Sequence, residues 1–381
     1  MSLAPPRERR PGLAARRSLA ADLPDFPWDT LADAKAVAQA HPDGIVDLSM
    51  GTPVDPTPEI AKRALSGASD SPGYPLTSGT KRLREAIVSY LARRWGADRL
   101  EERDTLPVIG TKELVAWLPT LLDLGPDDLV VYPTTAYPTY LVGARIAGCR
   151  SIACDDPDEL GDEKPALIWL NSPCNPTGAI LSREVMAGRV AWARDRGALI
   201  VSDECYGEFG WDTEPVSVLH PSVNLGSYDG LLAVHSLSKR SNLAGYRAGF
   251  VSGDSRLVAE LLAIRKHAGM IVPGPVQQVM IDLLDDQDHV EMQRRRYLAR
   301  RTRLRPAIER AGFVIEHSEG AIYLWATRGE DCWSSVDVLA RQGILVTPGD
   351  FYGPDGNQHI RVALTASDER VAAAAARLSG P

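Results

Sequence analysis

Between residues 129 and 251 the chain repeats one pattern, a short apolar run followed by a longer stretch of helical character and then another apolar run. The runs fall at 129–132, 166–170, 199–202, 231–235 and 248–251. Each is apolar at successive positions rather than at alternate ones. A strand must look like this when helices cover both faces of its sheet, whereas a sheet with one wet face alternates. The pattern therefore predicts an α/β domain whose parallel strands are joined by crossover helices. Asn171, Asp203 and Ser236 follow directly behind three of the runs. Open α/β sheets bind ligands outside the carboxyl ends of their strands, so these positions are where chemistry is expected.

After Pro275 the pattern changes. One long helical stretch, 276 to about 311, precedes short strands at 313–316, 323–326, 344–347 and 360–363. At 381 residues the chain exceeds what one core usually holds. The expectation is a large domain over 48–288 and a smaller α+β domain made of 23–47 with 289–381. A helix candidate at 28–40 belongs to the latter, and the Pro/Arg-rich stretch 1–22 is expected to be a flexible tail. The net charge of −8 speaks against nucleic acid, whose recognition needs a basic field. One basic run exists, Arg294, Arg295, Arg296, Arg300, Arg301, Arg303 and Arg305. It interleaves with Val290, Tyr297, Leu304 and Ala311 at helical spacing, and the arginines are expected on the solvated face of an amphipathic helix. The five cysteines form no CxxC pair and have no histidine-rich partner pattern, which predicts neither a metal site nor disulfides. No apolar run is long enough for a membrane span or a signal core, so a cytoplasmic protein is expected.

The segment from Ser236 to Gly249, SLSKRSNLAGYRAG, places Lys239 just behind a buried strand among hydroxyls, glycines and arginines. A lysine amine is a nucleophile only when neutral, and both burial and nearby cations lower its pKa. Lys239 is thus a candidate for a Schiff base, and Ser236 and Arg247 are candidates for holding a phosphate. A lone loop lysine is usually surface decoration, so the case needs corroboration. In NSPCNPTG, Asn175 either caps its own turn or donates its amide to a ligand oxygen. In SDECY, Asp203 ends a strand with Tyr206 three residues on. A buried carboxylate needs a cation, and a pyridinium N–H would serve and would stay protonated to absorb electrons from a carbanion. Gly110-Thr111-Lys112 opens an apolar-periodic stretch, as an anion-binding helix start does, with Pro119 predicting a kink or early break. Tyr137 can stack on a flat heterocycle or simply fill the core. The conjunction of these features, more than any one, carries the reading.

From Gly51 to about Thr365 the chain resembles the class I/II aminotransferases of fold type I, in NPTG, SDECY, SLSK and GYRAG. The resemblance implies the cofactor pyridoxal 5′-phosphate, bonded by Lys239, with Asp203 at its ring nitrogen and Asn175 and Tyr206 at its ring oxygen. Its phosphate would be held by Ser236, Arg247, Thr111 and Lys112, and Tyr137, on its position behind a strand rather than on the resemblance, is the residue expected to stack on its ring. The resemblance further implies that Arg361, in HIRVA, grips the α-carboxylate of amino-acid and 2-oxo-acid substrates, with Gly51 and Asn175 as further substrate contacts. Tyr74, in GYPLTSG, matches a tyrosine that reaches the phosphate of a neighbouring subunit, which implies a homodimer with shared sites. Within the family, HSLSKRSNLAGYRAGF, IGTKELVAWLPTLL, GAIYLWAT and TPGDFYGP are similar to bacterial N-succinyldiaminopimelate aminotransferases. That similarity implies N-succinyl-2-amino-6-oxopimelate, a lysine-pathway compound, as amino acceptor. The alternatives are a transaminase for aspartate, aromatic or other amino acids, a C–S lyase using the same cofactor, and the cofactor-binding module of a regulator.

Overall fold

The computed structural model describes residues 19–379. After the two-residue β1 (Val46–Asp47), seven strands form one sheet: β2 (Thr105–Val108), β3 (Leu129–Tyr132), β4 (Arg150–Ala153), β5 (Leu167–Asn171), β6 (Leu199–Asp203), β7 (Leu231–Ser236) and β8 (Gly249–Gly253). Their order is β2-β8-β7-β6-β5-β3-β4. Strands β3 to β7 run parallel, while β8 is antiparallel to both neighbours. The run at 248–251 is therefore a strand but not a parallel one. The chain between β7 and β8 carries one helical turn, Leu237–Arg240, and a 3-10 turn, Ala244–Tyr246. Neither is long enough to cross the sheet, so the chain doubles back.

Side chains of successive strand residues point to opposite faces. Leu129, Val131, Ile168, Leu170, Ile200, Leu231 and Ala233 enter one buried cluster. Val130, Leu167, Trp169, Val201, Leu232 and Val234 enter another. Both faces are thus apolar and helix-covered, which is why the runs are continuous. The sequence missed β2 and β4 because β2 contains Pro107, and because β4 is an edge strand with exposed ends.

A second, antiparallel sheet has the order β12 (Thr347–Pro348), β13 (His359–Ala363), β10 (Tyr323–Thr327), β9 (Val314–Glu316). The run expected at 344–347 is divided, since β11 (Ile344–Leu345) pairs with β1 in parallel instead. Leu31, Ala34, Ala38, Val46 and Leu48 share one buried cluster with Tyr297, Leu304 and the second sheet.

Several expectations need correction. The helix predicted over 276–311 is two helices, Gly274–Asp285 and Asp288–Arg310, separated where Asp286 turns extended. Arg300 and Arg301 are not solvated: they are 3% and 8% exposed. Arg300 grips Asp55 through two nitrogens, at 2.6 and 2.9 Å, and reaches Asp368 at 2.7 Å. Arg301 pairs with Asp212 and donates to the Ser318 carbonyl. Of the stretch expected as a tail, residues 1–18 lie outside the described residues, while Leu19–Asp22 forms a 3-10 turn. The candidate at 28–40 is a 3-10 turn, Pro27–Leu31, running into the helix Ala32–Gln39. The helix Thr111–Leu121 passes through Pro119 and stops two residues later. All five cysteines are free thiols. Among the described residues no helix is long and apolar enough to cross a membrane.

Candidate active site

Strand register brings the predicted residues to one end of the large sheet. Asn171 pairs with Asp203 across β5 and β6, and Ser236 at the end of β7 faces Gly249 at the start of β8. Gly249 also faces Val108 at the end of β2. The helix Thr111–Leu121 therefore begins beside Ser236. Ser236 caps the short helix that carries Lys239, its Oγ accepting the Ser238 N–H at 3.1 Å.

Two glycines are required by this convergence. Gly110 has φ +84, and a Cβ there would lie 2.2 Å from Arg247 Nη2. Only glycine lets the guanidinium rest against the start of that helix. A Cβ on Gly249 would meet the His235 carbonyl at 2.9 Å. Arg247 itself takes a left-handed conformation, φ 56, and donates to the Ala244 carbonyl at 2.8 Å. Non-glycine residues held this way concentrate at functional sites.

These elements enclose a cavity of about 310 Å³, within the usual range for small-molecule sites. Every residue singled out from the sequence lines it except Tyr74: Gly51, Thr111, Lys112, Tyr137, Asn175, Asp203, Tyr206, Ser236, Lys239, Arg247 and Arg361. Tyr74 is fully exposed on the single chain. The sequence did not point to Phe26, Trp28, Cys205 or Tyr323, which also form its walls.

Lys239 Nζ donates to the Gly51 carbonyl. Burial, then Arg361, and more weakly Arg247, pull its pKa down to about 8. Arg361 comes from β13 in the second sheet. It donates to Asn175 Oδ1 at 2.8 Å and to the Ser49 carbonyl at 2.6 Å, and lies over the Tyr323 ring at 4.1 Å. Lys112 extends its amine to 5.4 Å from the Phe26 ring and 6.0 Å from the Tyr137 ring. Burial and Arg247 lower its pKa.

Asp203 is the buried carboxylate of the cavity, and burial raises its pKa. It accepts from the Tyr140 hydroxyl at 2.9 Å and the Cys205 N–H at 3.2 Å, both neutral donors. Tyr140, stacked on Trp169, was not anticipated from the sequence. It lies three residues beyond Tyr137, but its link to Asp203 spans 63 positions.

The charge pattern states what the cavity takes. Among the described residues no carboxylate forms an ion pair with Lys112, Lys239, Arg247 or Arg361, and no cation forms one with Asp203. Four cationic groups without anions, facing one carboxylate without a cation, suit a ligand system with several negative groups and one protonated nitrogen. Pyridoxal phosphate together with an amino or oxo acid has this composition, so the residues present fit the cofactor.

The family model for aminotransferase class I and II matches residues 43–378. A probable aminotransferase of Mycobacterium tuberculosis is 64% identical over 365 residues, which are 96% of this chain and 87% of that protein. The 4-dedimethylamino-4-oxo-anhydrotetracycline transaminase of Streptomyces rimosus is 58% identical over 358 residues, 94% of this chain and 99% of that one. Among solved structures, a probable N-succinyldiaminopimelate aminotransferase from Thermus thermophilus has a TM-score of 0.84 at 27% identity, covering 92% of this chain and 99% of that chain. With the matched region reaching from before β1 into the last helix, the chain belongs to the class I and II aminotransferases, enzymes that depend on pyridoxal 5′-phosphate.

Proposed function

We propose that the enzyme moves an amino group between glutamate and a 2-oxo acid whose far end carries a further carboxylate, N-succinyl-2-amino-6-oxopimelate being the acceptor. The observation that carries this reading is Lys112. Its amine stands near the Phe26 and Tyr137 rings with no carboxylate ion-pair partner among the described residues, while Arg361 lies close enough to Lys239 to lower its pKa. A substrate with acid groups at both ends satisfies both cations. Similarity to the Thermus thermophilus protein in fold supports the same substrate class.

In this assignment Lys239 bonds the cofactor, Asp203 faces its ring nitrogen, and Asn175 and Tyr206 donate to its ring oxygen. Thr111, Ser236, Arg247 and Lys112's backbone at the helix start receive the phosphate, and Tyr137 lies against the ring. The bound cofactor supplies an electron sink for the charge left at the substrate's α-carbon. Arg361 and Gly51 orient the α-carboxylate so that the α-hydrogen faces Lys239. Lys239 Nζ, released from the cofactor when the substrate's own amine takes its place, takes that proton and returns it two atoms away, across the intervening nitrogen, serving as base and then acid. Tyr74 from a second copy completes the phosphate site, so the working unit is a homodimer.

A second reading has its own support. The Streptomyces rimosus relative is named for a tetracycline intermediate, and Phe26, Trp28 and Tyr137 give this cavity aromatic walls that suit a fused-ring ketone.

One panel separates the two. Purified enzyme should show the absorbance of lysine-bound cofactor, lost in Lys239→Ala, and should exchange amino groups between N-succinyldiaminopimelate and 2-oxoglutarate. Lys112→Ala should raise KM for the succinylated substrate about tenfold or more, as expected for loss of a charge-assisted contact. Turnover of a polycyclic ketone with none of the succinylated compound would establish the second reading.

A further inference from the structure

We propose that Tyr323 is a positioning residue for amino transfer, its hydroxyl holding the Tyr206 hydroxyl as a hydrogen-bond donor toward the ring oxygen of the bound cofactor. The inference rests on the assignment of Tyr206 to that oxygen.

The two tyrosines come from different sheets. Tyr206 lies three residues beyond the end of β6, and Tyr323 opens β10. Their hydroxyls are 2.8 Å apart and their rings meet edge to face, with centroids separated by 5.5 Å. Among the described residues neither hydroxyl has another partner. Both side chains are buried, and Tyr323 lines the cavity.

Two neighbours fix Tyr323 in place. The Arg361 guanidinium lies 4.1 Å over its ring. Against its hydroxyl end is Gly51, where a Cβ would fall 2.1 Å from the Tyr323 oxygen and 2.9 Å from Cζ. Gly51 has no left-handed backbone to justify a glycine. What requires one is the space taken by the Tyr323 hydroxyl. The chain has therefore given up a side chain beside Lys239 to keep that hydroxyl where it is.

Hydrogen-bond accounting sets the direction. A tyrosine hydroxyl has one hydrogen to give and lone pairs to accept with. If Tyr206 gave its hydrogen to Tyr323, it would turn lone pairs toward an anionic ring oxygen. If Tyr323 gives its hydrogen to Tyr206, the Tyr206 hydrogen is left for the cofactor. Accepting a bond also makes a hydroxyl a better donor. Burial holds the Tyr206 pKa well above its usual value, so Tyr206 keeps the proton it must donate.

A stronger donor at the anionic ring oxygen stabilises the deprotonated form of the lysine-bound chromophore and lowers its pKa. The test is an absorbance titration of the holoenzyme against pH. Tyr323→Phe should raise that pKa by roughly half a unit. Tyr206→Phe should raise it further, and adding Tyr323→Phe to Tyr206→Phe should change nothing more. KM for the oxo acid should stay within about twofold in Tyr323→Phe, because the ring over Arg361 is retained. Gly51→Ala, which displaces the Tyr323 oxygen, should shift the titration in the same direction and supplies a second route if Tyr323→Phe does not fold. An unmoved titration in Tyr323→Phe, or an equal shift with and without the Tyr206 hydroxyl, overturns the proposal. An unmoved titration in Tyr206→Phe overturns it too, but for a different reason, since then the assignment of Tyr206 to the ring oxygen is what fails.

Discussion

At the scale of single residues, Lys239 carries a prediction about pH. Its pKa in the cofactor-free chain is pulled down to about 8 from an ordinary 10.5, chiefly by burial. Only the neutral amine attacks the cofactor's aldehyde. The rate of covalent attachment to the cofactor-free enzyme should therefore rise about tenfold per pH unit below 8 and level off above it. A rapid-mixing series over pH 6–10 checks this (the span is roughly two units either side of the shifted value). A rate still climbing at the top of that series would mean burial does not depress the amine. Asp203 carries another. Asp203→Asn keeps an acceptor for Tyr140 but removes the charge opposite the cofactor's nitrogen, and kcat should fall by more than about a hundredfold while the fold survives. Lys239, Asp203, Asn175 and Ser236 were legible because each sits beside a local signal, a strand end, a proline turn or a glycine, whereas Gly51 and Arg361 were reached only through the family resemblance. Tyr140 and Tyr323 were not legible. Their partners lie 63 and 117 positions away, and nothing near either tyrosine in sequence marks a partner.

At the scale of elements, the sheet end, the helix starts and the loop behind Pro53 are tied by contacts that cost more to break than they gain in isolation. Arg300 on the helix Asp288–Arg310 binds Asp55, and Gln293 of that helix donates to Asp55 at 2.8 Å while accepting from Asn242 at 2.9 Å. Asn242 stands three residues beyond Lys239, and Asp55 four beyond Gly51. The network thus ties the helix both to the lysine loop and to the segment that accepts the lysine's hydrogen bond. Removing one partner of a buried ion pair leaves the other charge stranded. Arg300→Ala should destabilise the chain by about 3 kcal/mol, read in a denaturant melt, whereas Arg303→Ala on the exposed side of the same helix should be within about 0.5 kcal/mol of wild type. Gly110→Ala should fold but bind cofactor at least about tenfold more weakly, because its methyl occupies the place of the Arg247 guanidinium. Equilibrium dialysis measures that loss. The sequence placed all the arginines of the run in water because periodicity registers only apolar residues. It cannot see that Asp55 and Asp212 arrive over two of them from elsewhere in the chain.

At the scale of the whole molecule, Tyr74 presents a fully exposed ring on the single chain. If the chain forms a homodimer with shared sites, sedimentation should give twice the chain mass. Tyr74→Phe should loosen cofactor retention, and mixing it with Lys239→Ala should yield hybrid dimers with one restored site. A monomeric enzyme of undiminished activity would refute the shared-site assignment. The sequence by itself determined the helix-covered parallel sheet, the strand ends that carry Asn171, Asp203 and Ser236, and the identity of most cavity-lining groups. These follow from local rules: continuous apolar runs for strands buried on both faces, glycine and proline for turns, and residue types whose chemistry has few uses. Tertiary structure alone decided that β8 runs backward and that 344–347 is divided between two sheets. It also decided that Arg300 and Arg301 are buried, and that Arg361 and Tyr323 from the second sheet line the same cavity as Lys239. Those outcomes depend on which distant surfaces meet, and the energy of an ion pair or a hydroxyl contact exists only once both partners have arrived.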